Sequence, residues 1–207
     1  MKSLIKEITR RIEHHHAIYS IPVADLMWEE ILFQSLKFVG DDGATWDAGS
    51  HAIGADIMNS KYGDISCKTG AKKYVKKYDT NFLKLNGSRT TKYKTIEEKK
   101  EFFAIKKEDV YFCLSSIVKE WTKPYTDLDQ KKYYLVIFKT LDHAGLKWTE
   151  TFSKEGESNG WSASNDYMKC KITKSMSDQL WTELKYELKS PQNKEGFIDE
   201  VYPITIG

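Results

Sequence analysis

The residues best suited to chemistry are an aspartate and a lysine close together along the chain, Asp56 and Lys68. Between them the stretch Asn59–Gly63 carries the residues of a turn, and Asp64, Ile65, Ser66, Cys67, Lys68 and Thr69 follow it. If 63–69 forms a strand, Asp64, Ser66 and Lys68 share one face and Ile65, Cys67 and Thr69 the other. The turn would then fold Asp56 back against the polar row. A carboxylate that can hold a divalent cation would stand beside an ammonium group. Phosphodiester hydrolysis calls for that pairing: a Mg²⁺ neutralises phosphate charge and acidifies a bound water. A nearby lysine orients the attacking water and stabilises the negative transition state. Uncatalysed phosphate ester cleavage is among the slowest biological reactions, so a metal is expected. The alternative is an ordinary hairpin bearing a surface acid and a surface base.

A second carboxylate would complete a metal site, and the preceding helical stretch offers Glu29. Leu26, Leu32, Phe33 and Leu36 fall at i−3, i+3, i+4 and i+7 from it, which sets it in an apolar stripe. A buried carboxylate needs a cation or a metal partner, so Glu29 reads either as a ligand or as half of a buried salt bridge. Glu30 lies about a quarter-turn away toward Gln34 and Lys37, where solvent is expected. Asp64 is a rival ligand. His51 precedes Asp56 and reads as a phosphate contact, a water-activating group or a structural histidine.

The spacing around the hairpin resembles that of the PD-(D/E)XK nucleases, type II restriction endonucleases in particular. That family places an Asp at a strand start and an acid-x-Lys on the neighbouring strand. Here Ala55-Asp56 is followed, after nine residues, by Ser66-Cys67-Lys68. The similarity extends to Asn86, Gly87, Ser88, Arg89, Thr90, Thr91 and Lys92 and to Thr95, Ile96, Glu97 and Glu98, and covers roughly residues 22–107. Ala55 replaces the family's proline, and Ser66 replaces the acid of acid-x-Lys, so a carboxylate must come from elsewhere. The resemblance implies Asp56, Ser66, Lys68, Glu29 and His51 as catalytic residues. It implies Asp56, Glu29 and the Cys67 backbone carbonyl as Mg²⁺ ligands. It further implies double-stranded DNA as substrate and a homodimer, with one active site per strand of a palindrome.

The elements that must position these residues read as a mixed α/β (α+β) fold, a central mixed sheet flanked by helices, and the resemblance implies a restriction-endonuclease-like core. Helical spacing covers 2–19, and a second helix is predicted from about Pro22 to Val39, stopped by Asp41-Asp42-Gly43. Residues 49–59 and 62–70 are expected as strands. A capping box, Thr95 to Glu98, opens a third helix. Stretches 110–118 and 132–140 read as central strands, and 146–152 and 167–173 as further strands. A closing helix is predicted over 177–189, with Leu180, Trp181, Leu184 and Leu188 inward. His14, His15 and His16 are expected at the surface, because three consecutive residues cannot share a helix face.

DNA contacts have two candidate regions. Ser88, Arg89, Thr90 and Lys92 suit a phosphate clamp, or else a polar turn. The polar segment between strands, with Asn159, Trp161, Ser162, Ser164 and Asn165, suits base reading, or else an ordinary hairpin loop; it makes 146–175 a candidate recognition hairpin. Charge agrees with a polyanionic partner: residues 68–107 hold 13 Lys/Arg against 4 Asp/Glu in a chain of net charge +2. A solvated lysine-rich face explains the same count.

The 207 residues, 40% hydrophobic and 30% charged, suit one globular domain over 1–207, with 22–107 its catalytic region. Apolar runs are too short to cross a bilayer, and the first residues lack a signal-peptide core. Three cysteines at unrelated spacings suggest neither disulfides nor a zinc knuckle, and point to a reducing cytoplasm, which the resemblance implies is bacterial.

Overall fold

The computed structural model describes residues 1–46, 55–75, 80–85, 95–104, 110–116, 132–139, 147–164, 168–173, 185–188 and 200–205. Helices α1 (Lys2–Ile18) and α2 (Asp25–Phe38) come first, followed by strands β1 (Thr45–Trp46), β2 (Ile57–Ser60), β3 (Gly63–Val75) and β4 (Thr80–Leu85). Helix α3 (Ile96–Ala104) leads to β5 (Val110–Ser116) and β6 (Lys132–Lys139). The remaining strands are β7 (Thr149–Phe152), β8 (Ser158–Ser164), β9 (Met168–Thr173), β10 (Lys185–Leu188) and β11 (Glu200–Thr205).

The fold is mixed α and β, built on a mixed sheet. A five-strand portion runs β11-β6-β5-β3-β4, and within it β3 and β5 are parallel while their neighbours pair antiparallel. Strand β10 joins β4 to the antiparallel trio β9-β8-β7. The β4–β5 connection carries α3, as a parallel β3–β5 pair demands a long crossover rather than a tight turn. Thr95 and Glu98 close the expected capping box: Glu98 N–H donates to Thr95 Oγ1 (3.2 Å), and Thr95 N–H to a Glu98 carboxylate oxygen (3.1 Å).

The core lies between α1, α2 and one face of the sheet. Leu4, Ile8 and Ile12 recur at helical spacing along α1, and Trp28, Ile31, Leu32 and Leu36 along α2. They pack with Ile57, Ile65, Cys67, Val110, Phe112, Leu114, Leu135 and Ile137. Trp28 is fully buried, and its indole N–H donates to the Phe112 carbonyl (3.0 Å), fixing α2 on β5. Helix α2 ends in a Schellman motif: Gly40 adopts φ 80°, Asp41 N–H reaches Leu36 O (3.0 Å), and Gly40 N–H reaches Lys37 O (3.1 Å).

Four expectations are corrected. Residues 185–188 form β10, paired with β4 and β9, and not the end of a helix; the backbone of β4 offers them ladder hydrogen bonds that outweigh their helical spacing. Residues 177–184 lie outside the described residues. His15 and His16 are buried, while His14 is exposed. His15 Nε2 donates to Ile21 O (2.8 Å) and His16 Nδ1 to Tyr19 O (3.2 Å), so the chain folding back after α1 covers both rings. His16 Nε2 is then the acceptor for the Tyr133 hydroxyl (2.7 Å), which itself accepts Val23 N–H (3.2 Å). Burial pushes the Tyr133 phenol up to about 12. The segment expected as a polar loop between strands is largely a strand, β8, paired on both sides. Finally, α2 starts at Asp25 rather than near Pro22.

Candidate active site

The site is a notch in the edge of β3. Strand β2 pairs with β3 only as far as Ile57 opposite Ile65, and β4 joins the same strand from Gly70 onward. On the other side β3 is paired with β5 throughout Ile65–Ala71. Side chains fill the gap where no strand pairs. Cys67 N–H donates to Asp56 Oδ2 at 2.6 Å, and Cys67 O accepts the Lys68 ammonium at 2.9 Å.

The hairpin brings Asp56 to this notch. Lys61 and Tyr62 form the turn, with Asn59 (φ 57°) and Gly63 (φ 92°) in the left-handed region on either side of it. Asp56, just ahead of β2, donates its N–H to Ile65 O at 2.9 Å. Its Oδ2 lies 3.5 Å from Lys68 Nζ and 3.4 Å from Ser66 Oγ. The Lys68 side chain is 11% exposed and that of Asp56 28%, so the pair is partly shielded yet reachable from solvent. Strand alternation behaves as expected: Ile65 and Cys67 enter the apolar core, while Ser66 and Lys68 meet Asp56.

Glu29, on α2, lies near enough for the charges of Asp56 and Lys68 to act on it. Trp46, beside Ile57 in the β1–β2 pair, donates its indole N–H to Glu29 Oε2 at 3.4 Å, and its ring lies 5.5 Å from that of Phe33. Burial, and then the negative charge of Asp56, hold the Glu29 carboxyl above its ordinary value; the Trp46 hydrogen bond and the Lys68 charge pull the other way. The stripe reasoning for Glu29 is corrected in detail. The buried face of α2 is Trp28, Ile31, Leu32, Ser35 and Leu36, and Leu26 is half exposed. Glu29 lies half-buried at the margin of that face, which is where a group shared between core and site belongs.

The rivals are placed elsewhere. Glu30 is exposed. Asp64 Oδ1 accepts Asn59 N–H (3.0 Å) and so closes the hairpin. His51, Ser88, Arg89, Thr90, Lys92 and Asn165 lie outside the described residues. On β8 the proposed base-reading residues do not form one loop. Trp161 and Ser162 are neighbours on a strand and face opposite sides of the sheet, and Asn159 is exposed at the irregularity where β7 and β8 shift register. Ser164 ends the strand. Sequence reasoning missed Trp46, Asp25, Asp41 and Thr69. Trp46 belongs to a two-residue strand too short to read from periodicity, Asp41 lies shortly before that strand, and Asp25 and Thr69 meet only through tertiary packing.

The donors near Lys68 are hard oxygens, two carboxylates and a backbone carbonyl, which suit Mg²⁺ rather than a soft metal. Mg²⁺ is commonly held by one or two carboxylates with water and substrate phosphate completing its shell. Burial is the main cause of the raised Glu29 value, and the smaller part due to Asp56 is a repulsion that a cation between the two acids would relieve. Among the described residues no group of three or more His, Cys, Asp or Glu side chains is arranged to hold a metal. The Cys67 and Cys113 thiols are buried, and burial raises both well above the ordinary thiol value, which leaves them unsuited to nucleophilic work. Comparison with family models, curated proteins and solved structures found no match. Among the described residues no helix is long and apolar enough to cross a membrane.

Proposed function

We propose that the chain is a Mg²⁺-dependent deoxyribonuclease with a restriction-endonuclease-like core, a type II restriction endonuclease cutting double-stranded DNA as a homodimer in the bacterial cytoplasm. The observation that carries this reading is the convergence of Asp56 Oδ2 and Lys68 Nζ, 3.5 Å apart, in a notch near enough to Glu29 of α2 for their charges to act on it. A carboxylate and an ammonium so placed, with a second carboxylate opposite, are the parts that phosphodiester hydrolysis needs.

Cys67 N–H fixes the Asp56 carboxylate by a short hydrogen bond, so the acid is held in place before any ligand arrives. Asp56 and Glu29 would hold a Mg²⁺, which when bound supplies charge neutralisation at the phosphate and a more acidic water. Lys68, anchored at Cys67 O, is within reach of a phosphate seated over Asp56; it orients the attacking water and offsets the charge that grows on phosphorus oxygens. Water adds to phosphorus and gives up a proton to solvent, one phosphorus–oxygen ester bond breaks, and the leaving oxygen takes a proton from solvent. Ser66 stands where the family carries an acid; its hydroxyl near Asp56 helps orient that carboxylate and adds no charge. Arg89 and its neighbours would grip the DNA backbone, and residues of β8 would approach base edges.

The test is digestion of phage DNA by the pure protein with Mg²⁺, followed by sequencing of the ends. Discrete fragments sharing one terminal sequence support the reading. Cutting that follows DNA structure rather than sequence would make it a repair or junction-resolving nuclease. Tight DNA binding with no cleavage under any divalent metal would reduce it to a binding module.

A further inference from the structure

Helix α2 is hooked to the β2–β3 hairpin at both ends by an aspartate. At its start, Thr69 Oγ1 donates to Asp25 Oδ1 at 2.7 Å, and Asp25 N–H points back to Thr69 Oγ1 at 3.4 Å. Thr69 is buried, and it follows Lys68 directly on β3. Asp25 itself adopts φ 28°, on the left-handed side, which an aspartate tolerates better than most residues but which the surroundings must hold. Just past the end of the helix, buried Asp41 accepts the Ser60 hydroxyl at 2.8 Å and Lys61 N–H at 3.1 Å with each carboxylate oxygen. Glu29 lies one turn beyond Asp25, on the same side of the helix.

We propose that Asp25 and Thr69 are positioning residues, and that their paired hydrogen bond sets where Glu29 stands relative to Asp56 and Lys68. The inference rests on the nuclease reading, since Glu29 is placed there as a metal-holding acid. The remote hook at Asp41 holds the far end of α2, and at its first turn the Asp25–Thr69 pair acts together with buried Trp28, whose indole N–H is bonded to the Phe112 carbonyl. Neither residue touches the Asp56 carboxylate in any contact described. The effect of Thr69 passes through the helix to Glu29, in the way that outer partners orient metal-holding side chains elsewhere, while Asp25 also bears on the Glu29 carboxyl through its own charge.

The experiment measures Mn²⁺ binding to the whole protein by titration calorimetry, for wild type, Thr69→Val, Thr69→Ser and Asp25→Ala, with circular dichroism checking the fold. Thr69→Val keeps the shape and removes the hydroxyl, and Asp25 is exposed enough for its replacement to spare the core. Both should weaken Mn²⁺ binding by about tenfold or more, while Thr69→Ser should restore it. The same variants should raise the Mg²⁺ concentration for half-maximal cleavage more than they lower the rate at saturating metal. Wild-type Mn²⁺ affinity in a folded Thr69→Val and in Asp25→Ala would overturn the positioning role alone. A wild-type protein that binds no Mn²⁺ would overturn the nuclease reading and this inference with it.

Discussion

Replacing Lys68 by methionine separates a catalytic lysine from a structural one, because the two roles predict effects of different size. The substitution keeps the apolar stem and removes the ammonium that lies 3.5 Å from Asp56 Oδ2 and 2.9 Å from Cys67 O. With an effective dielectric of ~20, a charge pair at that distance is worth about 5 kcal/mol before desolvation is subtracted. Partial burial of both groups consumes most of that, and water screens the rest, so folding should change by roughly 1 kcal/mol or less. Losing one preorganised group that stabilises transition-state charge costs far more, about 10²–10³-fold in rate, or about 3–4 kcal/mol. Single-turnover cleavage of a DNA fragment at saturating Mg²⁺ reads the second quantity, and a urea melt reads the first. The expected result is a rate loss of at least about 100-fold with nearly unchanged melting and with DNA binding largely intact. A Lys68→Met protein that cuts within a fewfold of wild type would refute the role assigned to the ammonium.

Three further outcomes follow from the described contacts. Asp56→Asn retains an oxygen that can accept Cys67 N–H but loses the charge, so the fold should persist while Mn²⁺ affinity falls by at least about tenfold; calorimetry showing undiminished binding would remove Asp56 from the metal site. Trp28→Phe deprives the Phe112 carbonyl of its indole donor and should cost about 1–3 kcal/mol, seen as a lower urea midpoint without loss of secondary structure. Glu7 is buried against Arg10 and Arg11, and the Arg10 hydrogen bonds hold its carboxyl below the ordinary value. Because the folded value is the lower one, this contribution is present above the ordinary glutamate range and is lost as pH falls through the folded value. Glu7→Gln should therefore lower stability at pH 7 and flatten the acid side of the stability profile; an unchanged acid slope would speak against it.

The chemistry-bearing pair was legible because local rules place it. A period of two puts Ser66 and Lys68 on one side of β3, and the turn at Lys61–Tyr62 returns Asp56 to them. The Thr95–Glu98 box was legible for the same reason, since both hydrogen bonds span three residues. What could not be read depends on partners distant along the chain. Leu184 and Leu188 have helical spacing, yet β4 and β9 recruit 185–188 as a strand. The serines, asparagine and glycine of β8 resemble a loop until β7 and β9 pair on either side of it. The rule that three adjacent histidines cannot share a helix face holds, and two of them are buried all the same, because the chain after α1 folds back to accept their ring N–H groups. Glu29 was chosen on an apolar stripe that the structure redraws, and the partner it has there, the Trp46 indole N–H, is distant along the chain.

The most direct measurement is anomalous diffraction from crystals of the protein soaked in Mn²⁺. A single strong peak between the carboxylates of residues 29 and 56, lost in Asp56→Asn crystals, is the result the account predicts. A peak at some other cluster of acids, or none while DNA is still cut in the same buffer, would contradict it.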